Sequence, residues 1–403
     1  MTGKTITILK SFVCILLFFN TRLFAQEPKL NYLQGKVIEK STGQAIPYAS
    51  IKVSNANQNT ISNIEGIFVL SYTLETTDSI AVSAVGFSTI KISLSEFKSN
   101  NQTIIALEEN VTVLNTVTIM PLKAESILKT AIKNSNQSYS APSILTGYYK
   151  EYVKRDSLLS KYADGLISYH IQRQKNDPPK VSLQVSQSRV KEINLPDEED
   201  KVNELNTQIN IRGIGGFADP SKTSTLDSNN FKYYKYQLLE IEENGKSIYV
   251  INFSPLVGDK KALYAGKIYI DKERMLILGL DYSVSPISAA YLTSINILGI
   301  HVSMVSRSLS LRYSIKNDEY NLAYVGQHYG MKIKSKRFNQ LSTFKSEFWV
   351  GDVKTENISP FTENIYTKKA LYKRGSNYNT AFWEQYKFTE NTKEEAAFLI
   401  SKS

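Results

Sequence analysis

The chain reads as a mainly β protein with minor α content. An N-terminal Ig-like, transthyretin-like β-sandwich precedes a larger antiparallel β-meander, half-barrel-like, carrying one or two helices. Three observations predict this. Between residues 33 and 108, short apolar-polar alternations recur at the spacing of about 8 to 12 residues that sandwiches show. Longer alternating runs flank compact turns between 144 and 350. Helical periodicity is clear at Lys123 to Ser135, where Ile127, Leu128, Ala131 and Ile132 fall on one stripe.

At the N-terminus, Lys4 and Lys10 lead into an apolar run from Phe12 to Phe19, and Leu23-Phe24-Ala25 precedes Gln26. That order of charge, apolar core and small residue is a secretory signal peptide, residues 1–25, cleaved after Ala25. The run falls short of the ~20 apolar residues that a membrane-crossing helix needs. Cys14, the sole cysteine, lies inside it, between Phe12-Val13 and Ile15 to Phe19, so it reads as part of the signal core and not as a lipoprotein cysteine. Cleavage leaves no cysteine, which excludes a disulfide framework, a thiolate metal site and a cysteine nucleophile together. It also removes three cations and no acid, taking the formal charge from +10 to +7. The remaining charge is dispersed in pairs such as Lys260-Lys261 and Lys368-Lys369, without the basic run of a nucleic-acid arm. Dispersed positive charge outside the cytoplasm suits non-specific attraction to lipid or glycan. No further transmembrane segment follows the signal, and no series of ten-residue strands closes a barrel.

The first module, residues 31–108, takes its strands in order. Leu33 to Ile38 ends at Ser41-Thr42-Gly43; Ala49 to Val53 and Thr60 to Ser62 follow, then a turn at Asn63 to Gly66. Ile67 to Tyr72, Ser79 to Ala84, a break at Gly86, Ser88 to Leu94 and Thr103 to Leu107 complete the set. Pro47 stands just before a strand, where its missing N–H costs least.

The residues Gly35-Lys36-Val37, Thr42-Gly43, Ile46-Pro47-Tyr48-Ala49, Ile51, Val53, Thr60, Asn63, Gly66, Phe68, Val82-Ser83 and Gly86-Phe87 carry a resemblance. Together they resemble the carboxypeptidase regulatory-like domain, a module found at the start of Bacteroidetes envelope proteins, TonB-dependent receptors among them. The resemblance implies an accessory sandwich without catalysis. Asn63 stands where the family often has aspartate, which keeps the turn but argues against a cation there. A zinc carboxypeptidase needs a glutamate three residues after its histidine, plus a distant third ligand. His170, His301 and His328 are followed at that offset by Arg173, Met304 and Met331.

Residues 109–140 read as a linker, with a strand at Val111 to Met120 closed by Pro121 and then the helix. This junction resembles one in Bacteroidetes proteins of unknown function, in which an aromatic-aromatic-basic-Glu motif follows; Tyr148-Tyr149-Lys150-Glu151 stands in that place. Residues 141–403 form the second domain, interrupted at 174–230 by a loop-rich insertion with some helix around Pro178-Pro179, Asp197 to Asp200 and Gly213 to Gly216. Hairpins follow: Tyr233 to Ile241 with Ser247 to Phe253 about Asn244-Gly245, and Leu263 to Ile270 with Met275 to Val284. Arg312 to Lys316 pairs with Tyr320 to Val325, and Phe344 to Val350 closes the series. Phe253-Ser254-Pro255 with Gly266 to Asp271 resembles the half-barrel of periplasmic lipoprotein carriers. Tyr378 to Trp383 resembles the closing motif of the unknown-function group and implies packing. Ile268, Ile270, Leu276 and Leu278 mark an apolar face that the single helix is too short to cover, so a concave groove is expected.

The chemical candidates fall to plainer readings. Ser126 and Lys129 have serine-lysine spacing without the companion motifs of penicillin-interacting enzymes, and read as a polar helix face. Asn244-Gly245-Lys246-Ser247 has Glu240 where a phosphate-binding loop has glycine, and Gly213-Ile214-Gly215-Gly216 lacks the strand-to-helix setting of a dinucleotide site. Glu198-Glu199-Asp200 lacks calcium-loop spacing. His170 has no nameable partner. Tyr233, Tyr234, Tyr236, Tyr249, Tyr264, Tyr269 and Tyr282 line a glycan or lipid groove on one reading and are ordinary strand formers on the plainer one. No catalytic, cofactor or metal residue is assigned. The expectation is a non-enzymatic exported envelope protein, periplasmic or outer-membrane associated. Its sandwich would serve as an interaction module, and its β-domain would bind an apolar ligand or a partner protein. The rival is an envelope hydrolase of peptide or glycan, built from residues without a motif.

Overall fold

The computed structural model describes residues 31–53, 59–63, 65–72, 79–84, 86–99, 104–109, 121–174, 177–193, 209–243, 246–258, 260–297, 299–316, 318–336, 339–379, 383 and 391–401. The signal segment, the strand expected at Val111 to Met120, Asp197 to Asp200 and the Asn244-Gly245 turn lie outside them.

All seven expected sandwich strands form: β1 (Asn31–Glu39), β2 (Ser50–Val53), β3 (Asn59–Ile61), β4 (Ile67–Tyr72), β5 (Ser79–Ser83), β6 (Ile90–Ser93) and β7 (Ile104–Leu107). They make two sheets, β4-β1-β7 and β3-β2-β5-β6, with only β1 and β7 parallel. Alternation sends Val37, Ile51, Val53, Phe68, Val82 and Ile105 into a core of its own. The 63–66 turn shows why these residues recur. Asn63 Oδ1 accepts the N–H groups of Glu65 and Ile67 at 2.9 Å each, and Gly66 has φ +76° with a Cβ position only 2.4 Å from the Val37 carbonyl oxygen. A short helix not anticipated, α1 (Leu94–Ser99), starts on Ser93, whose Oγ accepts the Glu96 N–H at 3.0 Å.

The second domain is an eleven-stranded antiparallel sheet. Its strands are β8 (Ser143–Arg155), β9 (Leu158–Gln172), β10 (Lys180–Glu192), β11 (Tyr234–Glu243), β12 (Lys246–Pro255), β13 (Tyr264–Asp271), β14 (Leu276–Val284), β15 (Ser294–Ile297), β16 (Ile300–Lys316), β17 (Glu319–Lys334) and β18 (Asn339–Lys354). The order is β10-β9-β8-β18-β17-β16-β14-β13-β12-β11, with β15 beside β16. The chain runs outward to one edge, restarts at the other, and meanders inward until β18 pairs with β8. Strands β16 to β18 extend well beyond the expected runs.

The 174–230 reading needs correction. Residues 180–192 are a full strand, β10, whose Val181, Leu183 and Val185 alternate with serines and glutamines, as suits an edge strand that water can reach. Beyond the undescribed stretch comes α3 (Ile211–Gly215), following the linker helix α2 (Pro121–Ser138) in chain order, and then short 3-10 turns as far as Tyr233.

The expected groove is filled. Helix α2 buries Ala124, Leu128 and Ala131 on the sheet's inner face, and the 209–233 run buries Ile211, Ile214, Leu226 and Phe231 in the same apolar cluster. Leu371 and Tyr372 add to it. The shortfall of one helix is thus made up by the chain itself. A bulge between β13 and β14 at Leu278 also shifts the expected face, so that Ile277 is the buried residue. The Ile277 N–H donates to Ser135 Oγ of α2 at 2.9 Å, and its carbonyl accepts from Tyr320 Oη at 2.6 Å. At the other edge, residues 365 and 377 bridge β10, with the Tyr366 N–H donating to the Leu183 carbonyl at 2.8 Å.

Candidate functional site

Tyr148-Tyr149-Lys150-Glu151 lies on β8, an interior strand third from the β10 edge, and successive side chains alternate between faces. Tyr149 and Glu151 point inward and Tyr148 and Lys150 outward, yet all four are at most 4% exposed. A strand this dry on both faces must have both covered.

On the outer face, Lys150 Nζ lies 3.1 Å from Glu395 Oε1 and 3.8 Å from Glu347 Oε2. Lys345 lies 2.9 Å from Glu347, and Tyr324 Oη donates to Glu347 Oε1 at 2.9 Å. Burial pushes the Glu347 carboxyl up, but the Lys345 and Lys150 ammoniums and the hydrogen bonds hold it below the usual glutamate range. Next along the face, Asp164 is fully buried and accepts from Tyr148 Oη and Tyr162 Oη at 2.9 Å each and from Arg189 Nε at 3.0 Å. These groups form one register row. Arg189 pairs with Asp164, Asp164 with Lys150, Lys150 with Glu347, Glu347 with Gly326, Gly326 with Ser310, Ser310 with Asp281, and Asp281 with Lys267. Gly326 is required there, since a Cβ would meet Tyr324 Oη at 2.3 Å. From Arg189 to Glu347 the charges alternate in sign, the arrangement in which buried ions offset one another's desolvation.

Two parts of the chain seal this face. The C-terminal helix α4 (Lys393–Ile400) begins with a capping box: Glu395 Oε2 accepts the Thr392 N–H at 2.9 Å while the Glu395 N–H donates to Thr392 Oγ1. One carboxylate therefore caps a helix and neutralises Lys150. The sandwich supplies Tyr48 and Ile61, which pack on Tyr148, Tyr324 and Trp349. The Tyr48 ring is 4.9 Å from that of Tyr324 and 5.2 Å from the guanidinium of Arg312, which itself forks onto Asp281 at 2.9 Å through both nitrogens.

On the inner face, Glu151 accepts from Tyr149 Oη at 2.7 Å and from the Tyr372 N–H at 2.8 Å. Burial pushes its carboxyl up to about 7 against these hydrogen bonds. Such a shift marks candidate acid-base groups. Here both oxygens are engaged and the group is 0% exposed, so no substrate reaches it.

The remaining candidates stay apart. His170 is buried beside Phe361, and its Nε2 has no hydrogen-bond partner; burial and Lys180 lower its basicity. His328 is likewise lowered by burial and by Lys345, and His301 sits in an exposed pair with Asn296. Ser126 and Lys129 lie exposed on α2. Gly215 lets α3 sit on the sheet, since a Cβ would meet Val181 Cγ1 at 2.7 Å and Tyr169 Cδ1 at 3.0 Å. Of the tyrosines, Tyr234, Tyr236 and Tyr282 are buried in the inner cluster, whereas Tyr269 meets Arg312 on the outer side, so they line no single surface. Among the described residues no group of three His, Cys, Asp or Glu could hold a metal ion, and no helix is long and apolar enough to cross a membrane. Sequence reasoning missed Asp164, Glu347 and Tyr48. Glu395 had a signal in Thr392-x-x-Glu395.

Open clefts among the described residues include three. One of about 480 Å³ lies against α3, one of about 350 Å³ between Pro142 and Lys180, and one of about 440 Å³ over Lys267, Asp281 and Ser310.

Residues 33–119 match the model of the CarboxypepD_reg-like domain. No curated protein matches this chain. Among solved structures, a DUF1329 family protein from Desulfovibrio piger is similar at 12% identity and a TM-score of 0.24, over 59% of this chain and 95% of that one. A LolA superfamily protein from Nitrosomonas europaea is similar at 10% identity and a TM-score of 0.21, over 59% and 94%.

Proposed function

We propose that this chain, whose residues 33–119 match a CarboxypepD_reg-like domain, is a non-enzymatic, exported cell-envelope protein that works as an interaction scaffold. One observation carries the reading: the buried charged pair of the β8 motif, Lys150 and Glu151, is held by the chain's own residues. Lys150 is held by Glu395 and Glu347, and Glu151 by Tyr149 and Tyr372. Catalysis needs a titratable group within hydrogen-bond reach of a bound substrate, and these groups are spent on the fold. With the inner face filled, a ligand or partner would meet the chain at its periphery, and the +7 charge after signal removal favours an anionic one.

The test is a turnover assay. The protein is recovered from the envelope fraction of its host, its N-terminus is sequenced, and it is incubated with peptide and muropeptide substrates. The expected result is a mature end at Gln26 and no product. Product formation that disappears on replacing His170, His301 or His328 by alanine would establish the hydrolase instead.

A further inference from the structure

Between Asp281 and Arg307 the chain carries no Asp, Glu, Lys or Arg, the longest such run in the sequence. A run so poor in charge suits a core, yet from Pro286 to Asn296 all but Ser288 and Leu292 are exposed. Strand β14 pairs with β16 no further out than Ser283 with Ser308, whereas β15 pairs with β16 from Ser303 to Ile300. The β15–β16 hairpin therefore projects past the end of β14. A 3-10 turn at Pro286–Tyr291 leads into it, and the Met304 N–H fixes the junction by donating to the Thr293 carbonyl at 2.9 Å. Ile287, Tyr291, Ile295 and Val305 are all exposed on this projection. The β12–β13 turn stands at the same end of the sheet, joined by the Ser285 N–H, which donates to the Leu263 carbonyl at 3.0 Å. There Val257 is 91% exposed.

Cations flank the apolar groups. On β17, Lys332 pairs in register with Ser303 and Lys334 with His301. Both lysines are exposed, as is Lys336 just beyond them, and none of the three has an acid partner among the described residues. Lys260 and Lys261 are exposed in the β12–β13 turn.

We infer that this end of the sheet docks on an anionic lipid bilayer, with the exposed apolar side chains entering the headgroup layer and the lysines meeting its phosphates. The inference deepens the scaffold reading and rests on it, because it names the surface that the periphery of an exported envelope protein meets. An exposed apolar patch marks a membrane or a protein partner, and its neighbours decide between them. Lysine, serine and alanine are depleted from protein–protein interfaces. Here Ala289, Ala290 and Ser294 lie among the exposed residues and lysines surround them. Exposed apolar side chains with a tyrosine beside them and lysines around them suit a bilayer surface. A charge-free segment also enters that layer without moving an ionised group out of water.

Flotation of the mature protein with phosphatidylcholine vesicles containing phosphatidylglycerol should carry the wild type, whereas pure phosphatidylcholine should carry far less. Ile287→Ser combined with Tyr291→Ser changes no charge and alters only exposed side chains, and it should weaken binding by about tenfold. Lys334→Gln and Lys336→Gln should each weaken it by about fivefold, an effect that high salt abolishes. Ile104→Ser, at an exposed apolar position of the sandwich, should bind as the wild type does. Tryptophan placed by Ile295→Trp should shift its emission to the blue on the anionic vesicles. Absence of wild-type flotation, or flotation undiminished by the serine pair, overturns the site. Self-association in sedimentation that the serine pair abolishes, without flotation, also overturns it and makes the patch a contact between copies. Failure of flotation together with absence of turnover removes this site alone, whereas turnover removes the scaffold reading beneath it.

Discussion

Glu151 keeps its proton through a range in which most glutamates have lost theirs. Its carboxyl is raised from the ordinary 4.5 to about 7, first by burial. Between those two values the folded chain holds a proton that the unfolded chain releases. The associated stability is therefore complete below about pH 4.5 and is lost as the pH climbs through 7. Glu151→Gln keeps the acceptor for the Tyr372 N–H and removes the titration. In thermal melts the stability of the wild type relative to the glutamine variant should fall between acid and mildly alkaline buffer by up to about 3 kcal/mol. Parallel curves would mean that Glu151 titrates normally. None of this was legible in the sequence. Tyr149 and Glu151 announce one face of a strand, but the Tyr372 amide that meets the carboxylate comes from 221 residues away.

Among the elements, those with strong local grammar were legible. The seven sandwich strands follow from turn residues such as Asn63 and Gly66, and α2 follows from its stripe. Strand β10 was hidden because an edge strand needs no continuous apolar run, and Pro178-Pro179 before it reads as a loop. The outer charged row was hidden for a different reason: its members sit on different strands and become neighbours only through register. The glycines of α3, rejected from the sequence as a dinucleotide loop, have a packing role that gives a prediction. Gly215→Leu drives a side chain into Val181 and Tyr169, so the helix must lift or the core must shift, at a cost of about 1–3 kcal/mol. Denaturant unfolding should show that loss in the midpoint; an unchanged midpoint would mean that α3 is not seated on β9 and β10.

At the scale of the whole molecule, two apolar cores are joined through a small aromatic contact in which Tyr48 and Ile61 of the sandwich meet Tyr148, Tyr324 and Trp349 of the sheet. Tyr48→Ala removes its ring contacts with Tyr324 and Arg312. Calorimetry should then resolve two transitions where the wild type gives overlapping ones, with the sandwich melting by itself. A single undisplaced transition would show that the contact couples nothing. The Lys150 cluster has a consequence in time. Lys150 and the Glu395 that neutralises it are 245 residues apart. A chain delivered from its N-terminus exposes β8 long before Glu395. Until then the lysine has Glu347 across the sheet but lacks the closer Glu395, and its side of β8 stays open to water. The outer face of β8 thus closes only once α4 has docked.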